Sequence, residues 1–354
     1  MKAEAVQGLP ADLNRNDIPA ASRRKLNMPE IIVLNDSDVE DLISFDDNLR
    51  MIEQVFGDYN RGKSHAFPVV REEIKKHKGI FGIKSGYLET HDVLGFKAGG
   101  FWSDNKIKGL ANHQSVIVLF DPATGQTRAF VAANFVTQIR TAAIGAIGCK
   151  YLARPGSKIV AVIGAGQQGR NQLKAALRIL PGIKGINLYD RHQESAEALA
   201  KDISAYPQTV SVFATAEKAC AAADVIITAA SSFEAIVMSE WVKAGTHINA
   251  IGTDTRGKKE LDPQIFPKAK IVVDNLKQCL YLGECQHAFD AGLITAESIH
   301  AEIGEIINGT KPGRQSEHEI TVFDTTGVAI QDLATAGYAL EEALKKNKGC
   351  RISL

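Results

Sequence analysis

The stretch Lys158-Ile-Val-Ala-Val-Ile-Gly164-Ala-Gly166-Gln167-Gln168-Gly169 reads as an apolar, β-branched strand that breaks into a glycine turn and continues as a helix. Each glycine has its own task in such a turn. Gly164 permits the sharp reversal, Gly166 leaves the backbone open to close approach by a pyrophosphate, and Gly169 lets the helix lie against the strand. The unpaired N–H groups and dipole at the helix start favour an anion. Gln167 and Gln168 lie within the turn and join the three glycines as candidate cofactor-binding residues. In a chain with 30 glycines the string alone is weak, since ordinary turns also need glycine. The context strengthens it. Leu173, Ala176, Leu177 and Leu180 follow at helical spacing, and the next apolar run, Ile186 to Asp190, ends in an acid about 20 residues further on, where a carboxylate takes the adenosine ribose hydroxyls. A carboxylate there repels a 2′-phosphate, so Asp190 predicts NAD(H) in preference to NADP(H). Arg191 beside it weakens that preference, because a cation can accept the phosphate.

The 354 residues suffice for two domains, and 45% hydrophobic with 23% charged residues is an ordinary globular composition. Lys plus Arg equals Asp plus Glu at 41 each, so no global field draws the chain to nucleic acid or to an anionic membrane. There is no run of 18 apolar residues and hence no predicted membrane span. The five cysteines are widely spaced without C-x-x-C, and there is no H-E-x-x-H. Neither a disulfide framework nor a metal is expected, and a reducing, cytoplasmic location fits. Residues 1–28 are polar, contain Arg23-Arg24-Lys25 and lack a signal-like apolar stretch; they read as a flexible extension.

The organisation is α/β. Strand-like runs at Lys158–Gly164, Gly185–Asp190, Thr209–Ala214, Asp224–Ala230, Thr246–Gly252 and Lys270–Asn275 alternate with helical segments, which predicts a Rossmann-type doubly wound nucleotide domain over 136–319. Residues 29–135 together with 320–354 are expected to form a second, α+β domain from both chain ends. Within it, Ser37 and Asp47 are expected to cap two helices, and Asp121-Pro-Ala-Thr-Gly125 to turn a hairpin. The strand at Glu319–Asp324 is assigned to this second domain, with the helix from Ala329 to Lys345.

Ligands of doubly wound sheets sit at the carboxyl ends of the strands, which singles out Asp254, just after Ile248–Gly252. Arg71, Lys84 in Gly-Ile-Lys-Ser-Gly, Lys97 in Gly-Phe-Lys-Ala-Gly-Gly and Arg140 are cations set among apolar or glycine neighbours. Lysines inside short strands are seldom solvated at both ends and call for anionic partners, so the set suggests a substrate with carboxylates. Asn112-His113-Gln114 interrupts an apolar strand, and His113 is a candidate donor to a carboxylate or an acid near neutral pH. Each residue also has a structural reading: a turn aspartate, solvated edge lysines, a satisfied histidine.

Together the strings resemble the ornithine cyclodeaminase and μ-crystallin family over about Leu34 to Ala343. The resemblance rests on Arg71 after Phe-Pro, Lys97 before Ala-Gly-Gly, Leu119-Phe-Asp-Pro-Ala-Thr-Gly125, Ile139-Arg-Thr-Ala-Ala143, the glycine turn, Gly252-Thr-Asp254 with Glu260-Leu261, Gly283-Glu284, and Phe323-Asp-Thr-Thr-Gly-Val328. It implies that Arg71, Lys97 and Arg140 hold the substrate carboxylate, that Asp254 works as acid/base beside the cofactor, that Thr326-Gly327 lies by the substrate, and that the α+β domain dimerises. Thr141, in the Ile-Arg-Thr-Ala-Ala string, is placed with the cofactor. Two departures argue against ornithine: Asn112-His113-Gln114 stands where cyclodeaminases have a Pro-Thr-Val-like run, and Arg256 replaces a proline. Extra polarity and positive charge disfavour an ammonium tail. The nearer resemblance is to members that reduce iminosuccinate to L-aspartate.

The sequence therefore predicts a homodimeric imine reductase using NAD(P)H, with Asp254 and Lys97 at the reacting centre, Arg71, Lys97 and Arg140 on the α-carboxylate, and Lys84 with His113 and Asn112 toward a distal carboxylate. Cyclodeaminase or cyclic ketimine reductase is the alternative enzyme reading; a non-catalytic binding protein is the alternative of another class.

Overall fold

The computed structural model describes residues 30–353; the extension expected over 1–28 lies outside them. Two eight-stranded sheets organise the chain. The first domain starts with β1 (Glu30–Leu34), α1 (Asp36–Leu42) and α2 (Phe45–Asn60), then β2 (Ser64–Ala66), β3 (Val70–Ile74), β4 (Gly79–Leu88), β5 (Val93–Trp102), β6 (His113–Phe120) and β7 (Thr127–Ala132). The helix caps lie upstream of the expected ones. Asn35 closes a capping box with Asp38 on α1 and Ser44 caps α2, because the side chain just before a helix is the one that reaches its free N–H groups. The hairpin between β6 and β7 forms as expected, its turn closed by Asp121 and Gly125.

The long α3 (Asn134–Leu152) carries Ala142, Ala143, Gly145, Ala146 and Gly148 and is buried on nearly every side. Its small residues permit approach from two directions. A Cβ on Gly145 would collide with Gln172, and one on Gly148 with Asn249 and Phe323. Thus α3 contributes to the first domain's core through Ile144, Ile147 and Leu152, while Cys149 joins a core of the second.

The nucleotide-type domain follows as β8 (Ile159–Ile163), α4 (Gln167–Ile179), β9 (Gly185–Tyr189), α5 (Gln193–Asp202), β10 (Thr209–Val212), α6 (Ala216–Cys220), β11 (Val225–Thr228), β12 (His247–Ala250), β13 (Ala269–Val273), α7 (Leu276–Leu282), α8 (Cys285–Asp290), β14 (Ile299–Glu302), α9 (Ile303–Ile307) and β15 (Ile320–Asp324). The chain ends in α10 (Ala329–Lys346) and β16 (Cys350–Ser353). All neighbours in this sheet are parallel, in the order β10-β9-β8-β11-β12-β15-β13-β14. Alternate residues of each strand feed opposite layers: Val160, Val162, Val225 and Ile227 one core, Ala161, Ile163 and Ile226 the other.

The expected assignment of Glu319–Asp324 to the first domain is corrected. Strand β15 inserts between β12 and β13, where its Val322 and Phe323 are fully buried. Only α10 and β16 return to the first domain, α10 covering one face of β4, β5 and β6 and β16 pairing with β1.

Candidate active site

Strand register gathers the first domain's cations on one face. Lys84 on β4 stands directly opposite Lys97 on β5, and Arg71 on β3 opposite Gly82 of β4, two positions from Lys84. Residues two apart on a strand share a face. His113 pairs with Phe101, four residues from Lys97, and so joins them. Asn112 does not. It precedes β6, and its Oδ1 accepts the Lys106 backbone N–H at 3.0 Å, closing the loop before the strand.

The two domains meet at Asp254. Arg71 Nη2 lies 3.3 Å from its Oδ2 and donates to Thr255 Oγ1 at 2.8 Å, while Lys258 Nζ reaches Oδ1 at 2.9 Å. Burial alone would raise the Asp254 carboxyl; Lys258, Arg71 and Lys84 outweigh it and hold the group well below the usual carboxylate range. Lys84 Nζ donates to the carbonyls of Thr326 (3.0 Å) and Gly327 (2.7 Å). That turn is fixed from beneath by Asp274, whose Oδ2 accepts the Thr325 hydroxyl and the N–H groups of Thr326 and Gly327 at 2.7–3.0 Å. Gly327 has φ +76°, and a Cβ there would lie 2.8 Å from Arg140 Nη1.

A second acid sits among the cations and was not anticipated. Asp332 on α10 is fully buried; its Oδ1 accepts from Lys97 Nζ at 2.8 Å and from Arg140 Nε at 3.0 Å. Burial pushes the Lys97 ammonium down to about 7 despite Asp332, with Arg140 and Lys84 adding to the fall, and burial likewise brings Lys84 to about 8. His113 is pushed down to about 4 by burial and by Lys97, and its Nδ1 lies 3.3 Å from Asn134 Oδ1. This favours the neutral imidazole at pH 7 and, of the two roles read from the sequence, the hydrogen-bonding one. Five cations (Arg71, Lys84, Lys97, Arg140, Lys258) thus share the cleft with two carboxylates (Asp254, Asp332). Lys258, like Asp332, escaped the sequence reading.

In the nucleotide-type domain, the glycine turn has the shape a dinucleotide requires. Gly164 has φ +101°; a Cβ on Gly169 would fall 1.9 Å from Gly164 O, whereas one on Gly166 would meet no protein atom within 4 Å. Gly166 is the N-cap of α4 and no side chain caps that end, leaving backbone donors for an anion. Asp190 follows β9 and accepts the N–H groups of Ala165 (2.8 Å) and His192 (2.9 Å), so it borders the turn; Arg191 is exposed beside it. Gln167 Nε2 donates to Gln138 of α3 at 3.2 Å. Gln168 keeps a buried Oε1 without a protein partner. Thr141 is committed within the protein: its hydroxyl donates to Thr137 O at 2.5 Å, and its carbonyl accepts from Gln172 of α4 at 2.5 Å.

A doubly wound parallel domain with a glycine turn shaped for a dinucleotide, closed against a cationic β-sheet, defines a two-domain protein of the dinucleotide-binding class. The chain belongs to the ornithine cyclodeaminase/mu-crystallin family, whose model matches residues 30–347. It is 41% identical over 319 residues to an iminosuccinate reductase of Paracoccus denitrificans (strain Pd 1222), covering 90% of this chain and 98% of that one. Among solved structures, an archaeal alanine dehydrogenase dimer with bound NAD superposes with a TM-score of 0.88 at 40% identity, covering 92% of this chain and 100% of the other. The iminosuccinate reductase of Paracoccus denitrificans in complex with NAD+ gives 0.86 at 39% identity, with 92% and 100% covered.

Proposed function

We propose that the chain reduces a small imino acid to the L-amino acid with a reduced nicotinamide, NADH in preference to NADPH, and that iminosuccinate is the substrate. The observation that carries this reading is the surplus of cations over acids around Asp254. A dicarboxylate fills it better than any amino acid with a cationic tail. Bound at the glycine turn, the cofactor would supply hydride to the imine carbon. Gly164, Gly166 and Gly169 with the α4 N-terminus would hold its pyrophosphate, with Gln167 and Gln168 beside it, and Asp190 would take the adenosine ribose. Arg71 and Arg140 fix the α-carboxylate with Lys97, while Lys84 and the neutral His113 donate to the distal one, near Thr326 and Gly327. Asp254, kept ionised by its cations, accepts the N–H of the protonated imine. Lys97, with its ammonium near 7, is the group able to exchange a proton at neutral pH. The positive surround stabilises the electron-rich transition state.

The assembly reading is a homodimer. The β-sheet face opposite the cations carries Val70, Ile74 and Val116, which are 49%, 38% and 39% exposed among the described residues. An apolar sheet face of this kind is an association surface.

One observation favours a monocarboxylic imino acid instead: Asp332 already engages Lys97 and Arg140, and a similar chain is an alanine dehydrogenase. Both readings are tested by NADH and NADPH oxidation with ammonium and oxaloacetate, pyruvate or glyoxylate. A kcat/KM for oxaloacetate at least about tenfold above pyruvate is expected, since a second charge-assisted contact is gained. A preference for pyruvate would replace iminosuccinate with the monocarboxylate.

A further inference from the structure

Behind Asp254 lie two carboxyl groups that touch no other group of the site. Glu260 and Glu284 are 0% and 1% exposed. Glu284, at the start of α8, meets only donors: the Thr253 hydroxyl and the Glu260 N–H (2.8 Å) at Oε1, and the Leu261 N–H (3.0 Å) at Oε2. Glu260 Oε1 accepts the N–H groups of Ala230 (3.0 Å) and Ser231, whereas its Oε2 is buried without a partner. Gly252 is required beneath it, since a Cβ there would lie 2.0 Å from Oε1. Ser231 has φ +58°, a backbone that a serine adopts only when held. Gln286 continues the clamp: its Oε1 accepts the Gly257 N–H at 2.7 Å, and its Nε2 donates to Gly283 O at 2.8 Å. Both ends and the tip of the loop that bears Asp254, Thr255 and Lys258 are therefore held by side chains buried behind it.

We propose that Glu284 and Glu260 are positioning residues for Asp254: Glu284 takes three donors of the Gly252–Leu261 loop, and Glu260 ties this loop to Ala230-Ser231. Burial pushes both carboxyls upward, Glu284 additionally through Glu260 and Asp324, while Lys258 draws Glu260 down, so the pair retains one proton at neutral pH. The inference rests on the reading of Asp254 as the residue at the imine.

The conservative variants separate positioning from bulk. Glu284→Gln turns one acceptor into a donor facing the Leu261 or Thr253 donors; it is expected to lower kcat about tenfold to a hundredfold while the NADH dissociation constant, read by fluorescence titration, moves less than about threefold. Glu260→Ala is expected to lower kcat similarly, and Glu260→Gln, which keeps an acceptor for the Ala230 and Ser231 N–H groups, to restore most of it. The folded pair holds a proton that the unfolded chain releases near 4.5, so wild-type thermal stability falls as pH rises from about 4.5 to about 8, and Glu260→Gln, which removes the neighbouring charge that adds to the rise at Glu284, shows a smaller fall. Should Glu284→Gln fail to fold, Thr253→Val removes one donor and is expected to cost about threefold to tenfold in kcat with NADH affinity kept. Wild-type kcat in Glu284→Gln or Thr253→Val, or no rescue by Glu260→Gln, overturns the proposal. An active wild type with an equally active Asp254→Asn overturns the underlying reading instead.

Discussion

Lys84 and Lys97 stand directly opposite each other across β4 and β5, yet their ammonium groups serve different partners: Lys84 the carbonyls of Thr326 and Gly327, Lys97 the carboxylate of Asp332. Two like charges side by side on one face are tolerated because each has its own acceptor. The arrangement keeps a positive field aimed at the cleft.

Asp254→Asn keeps the shape of the side chain and removes the charge that Arg71 and Lys258 surround. Turnover of the imino acid is expected to fall about 10²- to 10⁴-fold, with NADH affinity within a few-fold of wild type by fluorescence titration. Unchanged turnover in this variant would remove Asp254 from the chemistry.

Asp332→Asn strands Lys97 and Arg140 in a buried setting, whereas Lys97→Met leaves the Arg140–Asp332 pair whole. The first is expected to cost about 3–5 kcal/mol of stability and the second clearly less; urea unfolding measures both. Equal losses would mean that Asp332 is not the shared counter-ion.

Lys97 at about 7 and Lys84 at about 8 lie below the 10.5 of a free lysine. Both shed charge as pH rises through these values, so KM for the anionic substrate is expected to climb about tenfold between pH 7 and 9. For stability the sign is opposite. Above these values the unfolded chain holds protons that the folded one has lost, so the two lysines contribute more stability as pH rises toward 10.5. A KM that stays flat over this range would show that neither lysine faces the substrate.

Gly166 and Gly169 make a contrasting pair. Gly169→Ala forces a methyl against Gly164 O and is expected to destabilise the fold by about 1–3 kcal/mol. Gly166→Ala meets nothing in the protein, so its melting temperature should match wild type while NADH affinity drops at least about tenfold. Normal NADH binding in Gly166→Ala would place the pyrophosphate elsewhere.

On the open sheet face, Val70→Glu with Val116→Glu adds charge where both side chains are exposed, so each chain should fold while the mass by light scattering falls from dimer to monomer. A mass unchanged by the double substitution would move the dimer contact to another surface.

The nucleotide-type domain was legible because its strands are continuous apolar runs and its turn has a spacing with a steric reason for each glycine. Strands β1, β3, β14 and β16 were not. They are four or five residues long, and in β3 Arg71-Glu72-Glu73 breaks any apolar signal. Strand β15 was seen but misassigned, since chain order does not reveal insertion between β12 and β13. In the site, Arg71, Lys84, Lys97, Arg140 and Asp254 stood out as charges in apolar or glycine settings. Asp332 is such a charge as well, flanked by Ile330, Leu333 and Ala334, but its partners are 192 and 235 residues away and no local spacing links them. Asn112, grouped with His113 in the sequence, lies just before β6 and closes the loop from Lys106, a contact that no local pattern announces.

The chain leaves the nucleotide-type sheet at Asp324 and enters α10 of the other domain at Ala329, and the four residues of this passage include Thr326 and Gly327, whose carbonyls receive Lys84. A covalent bridge between the domains thus also carries the acceptors of Lys84. A change of backbone conformation at Gly327 therefore alters both the path of the chain from one domain to the other and the partners of that ammonium.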